Sequence, residues 1–591
     1  MAQGFLQIAV FCALLVVAMP LLGGYMAHVF TGERVFLTPV VAPVERLTYR
    51  VLRVDSSSGQ TWKAYARSLL VLSLVFFLAL YLILRTQTLH PFNPQGFHSG
   101  TWDLTFNTTS SFLTNTNWQY YAGETTLSYF SQMAGLAVQN FVSAAVGIVV
   151  AIALIRGIAG RRGARAGAPD GTLGNFWVDL TRAIFYVLLP ISIVGALVLV
   201  SQGVLQTLGG YGTLHNITGG GVSHLAVGPV ASQEVIKNLG TNGGGFFNVN
   251  SAMPFENPNA FSNLFELFLI LVIPVSLTNT YGQMVGSRRQ GYAIFSAMSV
   301  LFVAGVVVCY LAELKGTPAQ HAAGIHTHLF DGSTGGNMEG KEQRFGITNS
   351  ALWSVVTTVT SCGAVNAALE SLTGIGGLVP FANLSMSETI FGGVGTGLYS
   401  MLVFVLLAVF IGGLMVGRTP EYLGKKIEAR EVKLLALGAL FTPIAVLFGS
   451  ALATATKHGK ASIFASGPQG FSESLYAYAS QANNNGSAFA GYTGYIQPNA
   501  GNAGAHGVTF ADLLGGLTMV FARYAPIIFV LAVAGSLARK RIAPAGLGTM
   551  RTDTPTFVTL LVGVVVIVGA LTFFPALLLG QVVQGLTHRL F

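Results

Sequence analysis

The sequence predicts an all-α integral membrane protein of about ten transmembrane helices, arranged as four pseudo-symmetric membrane–pore loop–membrane repeats with one extra helix at each end. Three observations carry this. The composition of the 591 residues is 52% apolar and only 9% charged, with a mean hydropathy of +0.62, which excludes a string of soluble domains. Apolar stretches of membrane-spanning length recur through the chain, with the basic residues gathered in alternate connections. Four polar clusters rich in Gly, Asn, Ser and Thr fall at a nearly constant interval.

A span needs about 20 predominantly apolar residues. By that measure the first runs from about 5 to 30, without a cleavage-like site, and is read as retained. The others lie near 69–86, 128–155, 176–202, 259–287, 294–313, 398–416, 433–454, 512–538 and 555–580. The three cysteines, Cys12, Cys309 and Cys362, are far apart in apolar or glycine-rich contexts, a pattern that argues against disulfides or structural zinc.

The formal charge of +9 is explained by topology. With an outside N-terminus, the connections 31–68, 156–175, 288–293, 417–432 with its flank and 539–554 face the cytoplasm, and they hold 21 of the 31 basic residues. Among these are Arg156, Arg161, Arg162 and Arg165, and also Arg418, Lys425 and Lys426. The excess of positive charge on the inner side places both termini outside and leaves no need for a nucleic-acid partner; membrane lipid suffices.

The outer connections 86–127, 203–258, 314–397 and 455–511 are long and poor in charge. Each holds a segment able to form a short helix (104–114, 231–239, 349–360, 471–482) followed by a polar cluster. Alignment on Thr116, Gly243, Gly363 and Gly486 gives intervals of 127, 120 and 123 residues, the mark of a repeat. The expected organisation is an N-terminal helix 1–30, a cytoplasmic loop 31–68, repeats 69–155, 176–287, 294–416 and 433–538, and a C-terminal helix 555–580. Irregular backbone at membrane depth requires protein or water around it, so four such loops are expected to converge on a hydrated axis. There, helix C-terminal ends and backbone carbonyls suit a monovalent cation, and the absence of carboxylates within the clusters disfavours a divalent one.

Asn115, Thr116, Asn117 and Gln119 in the first cluster, Thr241, Asn242 and Gly243 in the second, Ser361, Cys362 and Gly363 in the third, and Asn484, Asn485 and Gly486 in the fourth resemble, in order, the filter loops of the KdpA family. These are the potassium-binding subunits of Kdp potassium-transporting ATPases, within the superfamily of potassium transporters. The run Gly417 to Lys426 is a further match, and the resemblance spans essentially the whole chain. It implies potassium as the ion, filter carbonyls as its ligands, a bacterial inner membrane, and partner subunits KdpB, KdpC and KdpF. ATP and magnesium would be used by KdpB. This chain would hydrolyse nothing itself, in keeping with its lack of a Walker motif or an Asp-Lys-Thr-Gly phosphorylation motif.

Two features within the membrane add to this. Arg523, about eleven residues into its span, calls for a water-filled cavity or a carboxylate partner. Glu388 precedes Gly392, Gly393, Gly395 and Gly397, enough glycine to break a helix; by itself it could equally cap a half-helix. The resemblance implies a gate in this segment, with Glu388 drawing the ion from the filter and Arg523 opposing its free passage inward. Arg418, Lys425 and Lys426 are candidate partner contacts, although topology alone accounts for them. A gated channel or ion-coupled transporter of the Trk and Ktr type, working without a pump, remains the alternative, ahead of a secondary transporter for another substrate or a membrane enzyme.

Overall fold

A computed structural model describes residues 1–160, 171–217, 219–328, 335–494, 506–544, 546 and 549–587; Arg161, Arg162 and Arg165 lie outside the described residues. Nine helices among them are long and apolar enough to cross a membrane: Ala2–Thr31, Trp62–Arg85, Ser131–Ala159, Phe176–Ser201, Ala260–Met284, Arg288–Ala322, Thr396–Met415, Ala429–Ala455 and Phe510–Ala538. The tenth expected span is the helix Pro555–Leu577. Two small antiparallel hairpins, pairing 212–215 with 222–225 and 421–422 with 425–426, lie outside the helices.

Capping fixes several helix starts. Thr61 accepts a hydrogen bond from the Ala64 amide, Asn175 from those of Trp177 and Val178, and Asn259 forms a reciprocal box with Ser262. Ser131–Ala159 is the central helix, with 94% of its most apolar stretch buried against 22% for Ala2–Thr31, which leaves most of that stretch uncovered by the rest of the chain. The N-terminal helix packs on Ala260–Met284, where a Cβ on Gly23 would crowd Asn279 and the Ser276 carbonyl and where Thr280 donates to the Gly23 carbonyl at 2.9 Å. This is the small-residue packing that holds helices together where lipid removes a hydrophobic drive.

Arg156, counted by sequence with the cytoplasmic basic residues, is instead an internal tie. Its guanidinium pairs with both oxygens of Asp179 at 2.6 and 2.9 Å and also donates to the Phe30 and Leu173 carbonyls. Tyr65 donates to the same carboxylate at 3.1 Å. One ion pair thus joins four helices at one end of the bundle. Replacing Asp179 with Ala strands a buried guanidinium, and a loss of about 3–5 kcal/mol is expected. In detergent this should appear as a lowered thermal midpoint, with Tyr65→Phe giving a smaller drop.

Candidate functional site: four loops around one axis

Four short helices, Trp102–Leu113, Val230–Leu239, Gly346–Val359 and Gly467–Ala482, end at the cap residues Thr114, Gly240, Thr360 and Asn483. Counting three residues on from each cap reaches Asn117, Gly243, Gly363 and Gly486, at intervals of 126, 120 and 123. The backbone repeats in the same register. The amides of Thr116, Asn242 and Asn485 turn back to the carbonyls of Ser111, Lys237 and Ser480 at 2.9, 2.8 and 2.8 Å. Left-handed φ values recur in pairs at Asn115 and Asn117, Thr241 and Gly243, and Asn484 and Gly486. The alignment on Thr116 is therefore one residue out. Asn117 (φ +53°) stands where the second loop has Gly243 (φ +77°) and the fourth has Gly486 (φ +96°), because asparagine is the side chain that tolerates that conformation best.

The loops touch in cyclic order. From the first to the second, Asn115 donates to the Thr241 carbonyl at 2.8 Å and Asn117 to that of Gly243 at 2.9 Å. Gln119 exchanges two hydrogen bonds with the Gly245 backbone. From the second to the third, Gly243 lies so close that a Cβ on it would overlap the Gly363 backbone. From the third to the fourth, the Asn485 amide reaches the carbonyls of Thr360 and Cys362 at 2.7 and 3.1 Å. From the fourth back to the first, Asn484 donates to the Thr116 hydroxyl at 3.0 Å, and a Cβ on Gly486 would overlap the Thr116 carbonyl.

These bonds occupy several of the loop carbonyls and leave others open. Among the described residues those of Thr116, Asn242 and Asn485, all two residues past a helix cap, accept no hydrogen bond, nor do those of Asn115, Asn117, Ser361, Gly363, Asn484 and Gly486. The equivalent Cys362 carbonyl is taken by Asn485 and by the Thr357 hydroxyl. On one side the ring opens into a vestibule of about 820 Å³, lined by Asn117, Gly244, Gly363 and Gly486 with Gln119 and Asn366. No carboxylate or basic side chain belongs to the ring itself, and the partial negative charge of four helix C-terminal ends is directed at it.

Beside the third loop runs a segment with left-handed φ at Ser387, Glu388, Phe391, Gly392 and Gly395. Its closeness explains the glycines. A Cβ on Gly393 would crowd the Ser361 hydroxyl, one on Gly395 would overlap the Gly147 carbonyl, and Gly392 and Gly397 pack on each other. Glu388 stands beside Ser361 and Thr396 with Oε2 buried and unpaired. Buried Arg523 also approaches Gly147 and lies within the electrostatic reach of Glu388 and Tyr399. The cation and the carboxylate attract one another without forming an ion pair.

The sequence profile of the Potassium-transporting ATPase A subunit family, KdpA, matches residues 9–586. The chain belongs to the KdpA family. It is 54% identical over 582 residues to the Potassium-transporting ATPase potassium-binding subunit of Methylorubrum extorquens, covering 98% of this chain and 97% of that protein. To the protein of the same name from Brucella anthropi it is 52% identical over 584 residues, 99% and 98% of the two chains. The crystal structure of the potassium transporter TrkH from Vibrio parahaemolyticus aligns over 79% of this chain and 84% of its own, with a TM-score of 0.47 and 16% identity.

Of the three cations singled out as partner contacts in this KdpA-family sequence, Arg418 and Lys426 are exposed, whereas Lys425 is buried. The Lys425 ammonium donates to the carbonyls of Gly157 and Leu537, both at 2.8 Å, capping the C-terminal ends of two helices. Burial draws it down to about 8. An ammonium held inside the fold is not a surface contact, which corrects the expectation for Lys425. Sequence reasoning also missed the supports of the ring. Ser143 donates to Asn115 at 2.8 Å and Asn140 accepts from Asn117 at 2.8 Å, both from the central helix. Their polar type, amid an otherwise apolar span, was the available signal.

The register has a direct test. Asn117→Ala loses two buried hydrogen bonds and a tolerated left-handed conformation, at an expected cost of about 2–4 kcal/mol. Asn117→Gly keeps the conformation and should cost less, as read by thermal unfolding in detergent; equal costs would contradict the left-handed backbone at 117.

Proposed function

We propose that this chain is the potassium-binding and translocating subunit of an ATP-driven uptake pump, and that the four-loop ring selects the ion. The observation that carries this is the ring of unpaired carbonyls, set at equivalent positions and free of carboxylates. Oxygen dipoles in such number replace the hydration shell of a large monovalent cation, whereas a divalent ion calls for formal charge. Asn115, Thr116, Asn117, Gln119, Thr241, Asn242, Gly243, Ser361, Cys362, Gly363, Asn484, Asn485 and Gly486 form or brace the site. The repeats 69–155, 176–287, 294–416 and 433–538 each contribute one loop, and the helices near 1–30 and 555–580 flank them.

In this reading the vestibule faces outward, both termini lie outside, and the membrane is the bacterial inner membrane. KdpB, with KdpC and KdpF, completes the complex; ATP and magnesium serve KdpB, and this chain hydrolyses nothing. Arg523 raises the electrostatic barrier to direct inward passage, while Glu388, with one carboxylate oxygen unpaired beside the glycine-rich segment, offers the ion a next position. Arg418 and Lys426 are the exposed cations available to a cytoplasmic partner.

The test is potassium- and rubidium-dependent ATP hydrolysis by the purified complex, native and Gly243→Asp. A side chain at 243 collides with the Gly363 backbone, so half-saturating potassium should rise by about tenfold or more while the complex still assembles. Were no ATPase to co-purify, and the lone chain to conduct potassium passively in liposomes, a channel-like transporter would replace the pump.

A further inference from the structure

Behind the second loop lies a buried ionic cluster that the ring itself does not require. Lys237, on the short helix Val230–Leu239, has no exposed surface. Its ammonium makes ion pairs with Glu234 at 2.7 Å and Glu256 at 2.8 Å, and directs its third hydrogen bond to the Gly244 carbonyl at 2.9 Å. Glu256, equally buried, uses its other oxygen to accept the Phe247 amide at 2.9 Å. Glu234 and Glu266 share Ser251 and Asn238 as donors, and the nearby half-buried Arg344 is itself paired with Glu342 at 3.1 Å.

A buried ammonium with three donors and three acceptors is a rigid bracket, since turning any donor away leaves charge unpaired in a medium that cannot solvate it. The bracket grips the loop one residue past Gly243, at Gly244, and again at Phe247. It therefore sets which way the Gly244 peptide faces. On the other side of Gly243, the Asn242 carbonyl is left to the axis while its amide side chain binds Asn115 and Ser143 at 2.5 and 3.0 Å.

Resting on the potassium-selecting role of the ring, we propose that Lys237 is a positioning residue for ion selection. Held by Glu234 and Glu256, it fixes the Gly244 peptide and, through Gly243, the direction of the Asn242 carbonyl. It touches no ion. Its removal should therefore alter affinity and discrimination rather than turnover.

The experiment is ATP hydrolysis by the purified complex, titrated with potassium, rubidium and sodium, for the native chain, Lys237→Met, Lys237→Arg and Glu256→Gln. Lys237→Met should raise half-saturating potassium by about tenfold, the size of one lost charge-assisted hydrogen bond. The potassium preference over rubidium and sodium should narrow while the maximal rate stays within about twofold. Lys237→Arg should recover part of the affinity, and Glu256→Gln should fall between. Should Lys237→Met fail to assemble, the other two variants decide by the same criteria. A half-saturation unchanged in every assembled variant, or a fall in maximal rate with discrimination intact, would overturn the proposal. A native complex indifferent to potassium would instead overturn the selecting role of the ring.

Discussion

The structure turns on a conflict between two demands placed on the same backbone. Peptide groups at membrane depth have no water to satisfy them, so each must find a partner, yet a cation site built from carbonyls needs some left without one. Side-chain amides resolve this. Asn115, Asn117 and Gln119 cover the carbonyls of Thr241, Gly243 and Gly245, and Asn485 covers those of Thr360 and Cys362. The carbonyls of Thr116, Asn242 and Asn485 remain, at one shared position relative to the helix caps, together with those of Asn115, Asn117, Ser361, Gly363, Asn484 and Gly486 on either side of it. The asparagines are thus the frame of the ring. They can be so only because each sits in a left-handed or capped conformation, or on a neighbour doing so.

That dependence extends outward. Asn115 and Asn117 are held by Ser143 and Asn140, so the central helix must be both encased in protein and polar on one face. The encasing leaves the lipid contact to others, among them Ala2–Thr31, and the helix ends are locked by the Arg156–Asp179 pair at one corner and by Lys425 at another. Both cations lie in segments whose basic charge also suits an inner membrane face. Counting basic residues by sequence does not show which of them are held inside the fold, as these two are.

What the sequence made legible was whatever depends on period or composition. The spans, the four short helices and the polar clusters all follow from apolar length and spacing, and most emerge within a few residues of expectation, the exceptions including helices that begin six or seven residues earlier, at Trp62 and Arg288. The first loop contains no glycine to mark its register and was aligned one residue out, whereas the fold repeats a left-handed backbone that asparagine can also supply. Counting from the ends of the short helices would have found Asn117. The bracket behind the second loop was illegible for a different reason. Lys237 meets Glu256 across 19 residues of irregular chain, and no periodicity links a short helix to a loop that folds back on it.

The ring is also unequal, and its inequality is confined to one quadrant. Side-chain amides cross three of its junctions. Between the second and third loops, the described residues offer only the apposed backbones of Gly243 and Gly363. The third loop lacks the paired left-handed residues of the others, its cap Thr360 is extended rather than helical, and its Cys362 carbonyl is withdrawn into hydrogen bonds. Against this same quadrant packs the segment from Ser387 to Gly395, with five left-handed residues, three of them not glycine. Non-glycine residues in that region cost about 1 kcal/mol or more each and persist only where surroundings impose them. The part of the ring held by the fewest hydrogen bonds therefore faces the most strained backbone, and Glu388 and Arg523 lie on that side. A fourfold repeat would give an ion four equal walls. Here the wall beside the third loop differs in bonding, strain and charge together, so the pseudo-symmetry that makes the ring also singles out one direction away from its axis.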